Sequence, residues 1–270
     1  IMTHANSALM PVLFVPHGGG PLPLLNDANH LDLRAFLSKV SDTIPTPKAI
    51  VLVTAHWEEA QVTLSSHPHP GMLFDYYGFP PEAYTLSYPA PGEPQLAETI
   101  AGLLNASGIE VRLDNQRAFD HGTFVPLKLM YPEANIPVVQ MSLVQHLDPS
   151  AHIAIGEALA TLRAQGVLIV GSGMSFHNMR AFFSSDPKVL PRSQGFDTWL
   201  TDVVTSGDSQ AKAQLIDWQS APEARFSHPR EEHLIPLHVC FGAAHLQTPK
   251  ATHQFSGLLF NTAISGYLWS

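Results

Sequence analysis

The chain has 270 residues, of which 14 are Lys or Arg and 23 are Asp or Glu, giving a net charge of −9. This acidic balance excludes a general nucleic-acid binder, which needs a basic face to neutralise phosphates, and a binder of anionic membrane surfaces. Its single cysteine, Cys240, excludes an intrachain disulfide framework and any thiolate-only metal site.

We expect one domain over residues 1–270, because no linker, repeat or low-complexity tract divides the chain. No apolar run approaches the ~20 residues that a membrane span requires. The first ten residues lack the basic segment and apolar core of a signal peptide, so the expected location is the cytoplasm.

Short aliphatic runs alternate with helical patterns along the chain. The runs are too β-branched and too continuous for amphipathic helices, so they predict buried strands at 12–15, 49–54, 138–143 and 167–170, with weaker candidates at 62–64 and 110–113. Apolar residues at helical spacing predict helices at 31–40, 93–107, 125–130, 149–165, 196–205, 209–218 and 234–244. This alternation predicts an α/β domain whose central sheet, parallel or mixed, is flanked by helices.

Residues 65–94 interrupt the alternation with seven prolines and four tyrosines. A loop of this length inside a compact domain is usually functional or disordered. Because aromatic residues and prolines are so frequent in it, we expect an ordered lid or pocket wall.

Three of the 15 histidines follow predicted strands. His17 comes after the 12–15 run, His56 after the 49–54 run, and His177 after the 167–170 run and a glycine-containing loop. Open α/β sheets bind ligands beyond the carboxyl ends of their strands, so these side chains are expected to converge. One such histidine alone would be interpreted as structural, but three at comparable positions favour a functional site.

Other histidines stand in less informative positions. His233 lies just before or within the first turn of the last predicted helix, where Glu232 either orients an imidazole or is solvated surface. His121 follows Asp120 in a loop before the 125–130 helix and belongs either to a local cap or to a general acid/base site. We interpret His228 as a loop residue and His238 as packed or surface. The remaining histidines are interpreted as surface or loop residues: His4, His30, His67, His69, His146, His152, His245 and His253.

Histidine-rich clefts favour zinc, iron, copper or nickel over magnesium or calcium, because neutral imidazole is a common ligand of these metals. The candidates at positions 17, 56, 177 and 233 are dispersed and form no local zinc-binding motif. The residues therefore predict a mononuclear metal site with several histidines and an open position at the strand ends, and they leave the metal open.

Seven ordered segments, spread over nearly the whole chain, resemble the DOPA-type extradiol aromatic-ring-opening dioxygenases. This family is a branch of the class III extradiol superfamily, which includes the large subunit of protocatechuate 4,5-dioxygenase. The segments are Pro16-His17-Gly-Gly-Gly-Pro21, Thr54-Ala55-His56-Trp57, Asp75-Tyr76-Tyr77-Gly78-Phe79-Pro80, Tyr88-Pro-Ala-Pro-Gly92, Asp120-His121-Gly122, Gly171-Ser-Gly-Met-Ser-Phe-His177-Asn178 and Glu232-His233-Leu-Ile-Pro-Leu.

The resemblance implies a mononuclear non-haem metal held by His17, His56 and His233. Elsewhere in the superfamily the third ligand is a glutamate, and Glu232 stands beside His233 here. The implied metal is Fe(II) in function, with Zn(II) as an alternative in the purified or crystallised protein. In such a zinc form His177 is an alternative fourth ligand.

The resemblance also implies that a DOPA-like catechol is opened by O2 to a muconic semialdehyde. His177 would be the acid/base, with a near-neutral pKa, and His121 the second catalytic histidine. Tyr76, Tyr88 and Trp57 would bind the substrate. The expected partners are the small catechol and O2, with no nucleic acid and no membrane.

Two other functions remain open at this stage. Three histidines and a water could serve a zinc-dependent hydrolase, because zinc lowers the pKa of its bound water to ~7. The same fold could also carry a non-enzymatic binding protein, since fold does not determine function. Oxygen consumption with a catechol would distinguish the dioxygenase from both.

Overall fold

The computed structural model describes residues 8–270, so His4 lies outside the described part of the chain. The strands are β1 Val12–Pro16, β2 Ala49–Glu59, β3 Val62–Ser65, β4 Val111–Asp114, β5 Val138–Val144, β6 Val167–Gly173, β7 Thr252–Leu259 and β8 Thr262–Trp269. They form one eight-stranded sheet in the order β4-β3-β5-β2-β6-β1-β8-β7. β1, β2, β5 and β6 run parallel to their neighbours within this group, whereas β8 pairs antiparallel with β1 and β7.

Helices cover both faces of the sheet. They are α1 Leu31–Val40, α2 Pro94–Ala106, α3 His121–Met130, α4 Pro149–Leu159, α5 Met179–Phe182, α6 Val189–Ser206, α7 Ala211–Ile216, α8 Ala224–Ser227 and α9 Ile235–Ala244. Successive residues of β1 point into two different cores: Val12 belongs to the core that includes residues of α2, α4, α6 and α9, and Leu13 to the core that includes residues of α1 and α3. Burial on both faces explains why the central strands are continuous aliphatic runs, and the predicted single α/β domain with a mixed sheet is confirmed.

The C-terminal hairpin of β7 and β8 was not predicted. Its two-residue turn consists of Phe260 and Asn261, which both have positive φ angles, of 47° and 60°. Such turns are usually recognised by an Asn-Gly or Asp-Gly pair, and a phenylalanine at the first position hides the signal.

Helix boundaries differ from the predicted ones where capping determines them. α3 begins at His121, four residues before the predicted start, because the Asp120 carboxylate accepts a hydrogen bond from Thr123 N–H at 3.1 Å and caps the helix. The predicted 149–165 helix is α4 followed by a 3-10 segment, Ala160–Gln165. Among residues 8–270, no helix combines the length and the apolar character needed to cross a membrane.

Candidate metal centre

Three histidines meet at the carboxyl edge of the sheet. His17 follows β1, His56 lies near the end of β2, and His233 immediately precedes the first turn of α9. The Nε2 atoms of His17 and His56 are 3.1 Å apart, and one ring nitrogen from each of the three lies within 4.8 Å of the others. We call these residues the histidine triad. The edge forms because β1 and β2 both pair in parallel with β6, so their carboxyl ends coincide.

All three rings of the triad are held neutral. Burial, followed by the proximity of the other histidines, lowers the pKa of His17, His56 and His233 well below the usual value. His17 donates its Nδ1–H to the Gly18 carbonyl at 2.9 Å, which leaves the lone pair of Nε2 directed toward His56. The Nε2 of His233 is buried without a hydrogen-bond partner among the described residues. Converging lone pairs and an orphaned buried nitrogen fit a metal ion bound by imidazoles.

A close approach of two backbones places His233. Met174 N–H donates to the His233 carbonyl at 2.9 Å. A Cβ atom on Gly173 would overlap that carbonyl, so glycine is required at the end of β6. Glu232 accepts a hydrogen bond from His233 Nδ1–H at 3.2 Å. The carboxylate thereby orients the imidazole and leaves Nε2 for a ligand.

His121 is anchored by the carboxylate of Asp75, a residue with no role predicted from the sequence. Asp75 Oδ1 accepts from the backbone N–H of His121 at 3.0 Å and from its ring Nδ1–H at 2.7 Å. Burial alone would raise the pKa of Asp75, but the hydrogen bonds and charge of His121 lower it, so the carboxylate is ionised. The ring of His121 lies 3.9 Å from that of His56, measured between centroids. The only sequence signal for Asp75 was its place in the Asp-Tyr-Tyr-Gly-Phe-Pro motif.

His177 lies flat against His233. Their ring centroids are 3.5 Å apart with an interplanar angle of 8°, and Nδ1 of His177 is 3.9 Å from Glu232 Oε1. Burial lowers the pKa of His177 to about 4. The near-neutral pKa expected from sequence is therefore wrong for the substrate-free protein, because desolvation favours the uncharged ring. A neutral ring can still accept a proton.

The three expected substrate-binding aromatics occupy different positions. The Tyr76 ring stands edge-on to His121 at 5.8 Å, and its hydroxyl donates to the Ala83 carbonyl. Tyr88 is 1% exposed, and its hydroxyl donates to Tyr131 O at 3.0 Å. Trp57 donates its indole N–H to Glu59 at 2.9 Å. Of the three, only Tyr76 makes a ring contact with a histidine of the candidate site. The polar atoms of Tyr88 and Trp57 are hydrogen-bonded to Tyr131 and Glu59.

Apart from the triad and its neighbours His121 and His177, four histidines are buried. His238 donates to Leu215 O at 2.7 Å, in agreement with a packed residue. His228 is fully buried and donates to Ser175 O at 2.7 Å, so it packs against the loop that carries His177. His30 and His152 were expected at the surface or in loops, and that expectation is wrong for both. Each is buried because both ring nitrogens have polar partners.

Known proteins resemble this chain over most of its length. Residues 12–263 match the family described as the catalytic LigB subunit of aromatic ring-opening dioxygenase. The chain is 43% identical to dioxygenase tasH of Hapsidospora irregularis, over 88% of this chain and 79% of that protein. It is 39% identical to the 4,5-DOPA dioxygenase extradiol of Beta vulgaris, over 86% of this chain and 85% of that protein. The crystal structure of an uncharacterized Escherichia coli protein superposes with a TM-score of 0.79 at 29% identity, covering 97% of this chain and 100% of that one.

Proposed function

This chain belongs to the family of the catalytic LigB subunit of aromatic ring-opening dioxygenases, and we propose that it opens a DOPA-like catechol at a single iron(II) ion. It is an enzyme, an extradiol ring-cleaving dioxygenase that acts on a small aromatic molecule and O2. Neither the zinc hydrolase nor the non-enzymatic binding protein is favoured by the family or by its named relatives.

The observation that carries the proposal is the convergence of five histidines at the carboxyl edge of the sheet. His17, His56 and His233 supply the ligand nitrogens, all neutral, and His121 and His177 stand against two of these ligands. Three imidazoles leave other coordination positions open, as dioxygen chemistry requires of non-haem iron sites. When bound there, iron(II) would supply Lewis acidity toward the catechol oxygens and electrons for their reaction with O2.

The two flanking histidines would have different roles in proton transfer. Because His177 is neutral, with a pKa lowered to about 4 by burial, it would accept the proton that a catechol hydroxyl loses on binding. Because the ionised Asp75 carboxylate holds the Nδ1 proton of His121, Nε2 of this ring would receive the second proton that the catechol loses and return it to the product later in the reaction. The Tyr76 ring would pack beside the substrate and help exclude water.

The proposed substrate class follows from the relatives. Proteins from Beta vulgaris, Mirabilis jalapa and Escherichia coli carry the name 4,5-DOPA dioxygenase extradiol. A catechol offers two adjacent oxygens, which suit a site with open positions and a neutral base. Cleavage of the ring beside these oxygens would give a yellow muconic semialdehyde.

Oxygen uptake by iron-loaded protein tests the proposal. The apoprotein would be reconstituted anaerobically with Fe(II) and given a catechol panel that includes DOPA, with O2 and product absorbance recorded together. The expected result is uptake matched one-to-one by a yellow product. Protein loaded with Zn(II) is the matched control and should consume no O2. Absence of uptake by protein shown to contain iron would contradict the proposal.

A further inference from the structure

A second histidine–carboxylate pair lies behind the triad, in a part of the chain with no assigned role. His30, which is 1% exposed, accepts a hydrogen bond at Nε2 from the Gly19 backbone N–H at 2.9 Å. Its Nδ1 donates to Asp27 Oδ2 at 2.6 Å. Asp27 is itself fixed, because the same oxygen accepts from Asn29 N–H at 3.1 Å and caps the turn.

The pair acts on the peptide group that holds His17. The carbonyl of the Gly18–Gly19 peptide accepts Nδ1–H of His17 at 2.9 Å, and the N–H of that same peptide is the group bound by His30. One peptide group is therefore held at both ends, by a triad histidine and by a buried imidazole. Hydrogen bonds connected through a shared group polarise one another, which strengthens the carbonyl as an acceptor.

The conformation of Gly18 permits this arrangement. Gly18 has a φ of +78°, and a Cβ atom there would lie 2.8 Å from the Cδ2 atom of His30. A side chain would push the imidazole off the peptide. The glycine thus serves the contact with His30 as well as the turn.

The tautomers of both rings follow from the hydrogen bonds. Because Nε2 of His30 accepts, the single proton of the neutral ring must lie on Nδ1, where Asp27 takes it. At His17 the peptide carbonyl likewise requires the proton on Nδ1, which leaves Nε2 toward His56. The tautomer needed for metal ligation is thus supported by a relay from Asp27 through His30 and one peptide group.

We propose that Asp27 and His30 are positioning residues that hold the ligand geometry of His17 from outside the metal site. The inference rests on the proposed function only in taking His17 as a metal ligand. Partners behind a ligating histidine typically alter metal affinity 10–100-fold when they are removed. The expected effect is therefore on metal binding first and on turnover through it.

The test measures Zn(II) affinity of the full-length apoprotein by competition with a chromophoric chelator. His30→Ala should lower the affinity about 10–100-fold. His30→Gln should restore most of it, because the amide oxygen can accept from Gly19 N–H. His152→Ala is the matched control: it also removes a buried histidine whose two ring nitrogens are hydrogen-bonded, in this case both to backbone, and it should leave the affinity unchanged.

Asp27→Asn keeps the ring in place and covers the case in which His30→Ala fails to fold. It should weaken Zn(II) binding by a smaller factor than His30→Ala. In ¹⁵N-histidine spectra of the apoprotein it should also reduce the Nδ1–H tautomer of His17.

Unchanged affinity in both variants would overturn the inference, as would equal losses in His30→Ala and His152→Ala. If His17→Ala bound Zn(II) as tightly as the wild type, the metal would lie elsewhere, and this result would also overturn the inference. Because the readout is Zn(II) binding, failure of oxygen uptake alone would count against the proposed function and not against this relay.

Discussion

His121 and His177 both stand against the histidine triad, and each has a carboxylate near its Nδ1, but only His121 is hydrogen-bonded to that carboxylate. His121 packs on His56 and is tied to the ionised carboxylate of Asp75 through its backbone N–H and its ring. His177 stacks on His233, and Glu232 stands 3.9 Å from its Nδ1. On one side an ionised carboxylate accepts the Nδ1 proton of the ring, and on the other burial lowers the pKa of the ring and favours its neutral form.

This difference gives His121 and His177 complementary roles in proton transfer. Environments that separate the protonation of two groups also separate the roles of acid and base. His177 can take up a proton when the substrate binds, and His121 can hold one until the ring opens.

Replacement of His177 should have the largest effect. His177→Ala removes the proposed base, and loss of a general base typically lowers turnover by about 10²–10⁴-fold. The bound iron, measured by elemental analysis, should stay near the wild-type level, because the triad is intact.

His121→Ala provides the comparison on the other flank, with a smaller expected loss of turnover and equally intact metal content. Iron lost from His177→Ala but retained by His121→Ala would identify His177 as a ligand and contradict the proposed division of work.

The next largest effect is expected at Asp75. Asp75→Asn removes the negative charge behind His121, and a hydrogen bond to a charged group is typically worth about 1.5–3 kcal/mol, so the expected loss of turnover is about 10–100-fold. Turnover should fall with little change in KM, as single-turnover and steady-state rates would show. Asp42→Asn, at an exposed carboxylate, is the control and should behave as the wild type. An Asp75→Asn enzyme with full turnover would mean that His121 works without its carboxylate.

The fold could be predicted from sequence where hydrophobic burial determines it. The strands at 12–15, 49–54, 138–143 and 167–170 are aliphatic because helices cover both faces of the sheet. The β7–β8 hairpin was missed because its turn depends on the local conformation of Phe260 and Asn261, which composition does not indicate. The start of α3 was missed because a single capping carboxylate, that of Asp120, sets it.

The candidate site shows the same contrast. His17, His56 and His177 could be proposed from the sequence because each follows a strand, and parallel strands end at one edge. Asp75 and His30 could not be proposed in this way. They reach the site through a long irregular segment and a glycine turn, which have no periodicity in the sequence. His233 and His121 were candidates from the sequence with structural alternatives left open, and the resemblance to a known family gave each of them a definite role.

The pH profile offers a further test of the His177 flank. Because burial lowers the pKa of His177 to about 4, the free enzyme should keep its base neutral throughout the range from pH 7 to about 5. The acid limb of kcat/KM should then appear near pH 4, with a tenfold fall per pH unit below it. A limb near pH 6.5 in wild type, absent from His177→Ala, would show that this ring is not desolvated in solution.

Acid unfolding has to be separated from that limb. His152 and His238 also have pKa values lowered by burial to about 4. Between about pH 6.5 and 4 the unfolded chain binds protons at these rings that the folded chain does not. The free energy of unfolding therefore decreases as the pH falls, by up to about 1.4 kcal/mol per histidine and pH unit. Melting temperatures at each pH, and rates taken immediately after a pH jump, would distinguish the two effects.

The smallest effect is expected from two tyrosine hydroxyls. Tyr76→Phe keeps the ring beside His121 but frees the 76–83 segment from the hydroxyl contact with Ala83, so KM should rise about fivefold, the equivalent of one hydrogen bond. Tyr88→Phe removes a hydroxyl that bonds Tyr131 in the core, so it should lower the melting temperature and leave KM unchanged. The two changes are chemically identical. A rise in KM for Tyr88→Phe alone would therefore show that the substrate binds near Tyr88 and not beside Tyr76 and His121.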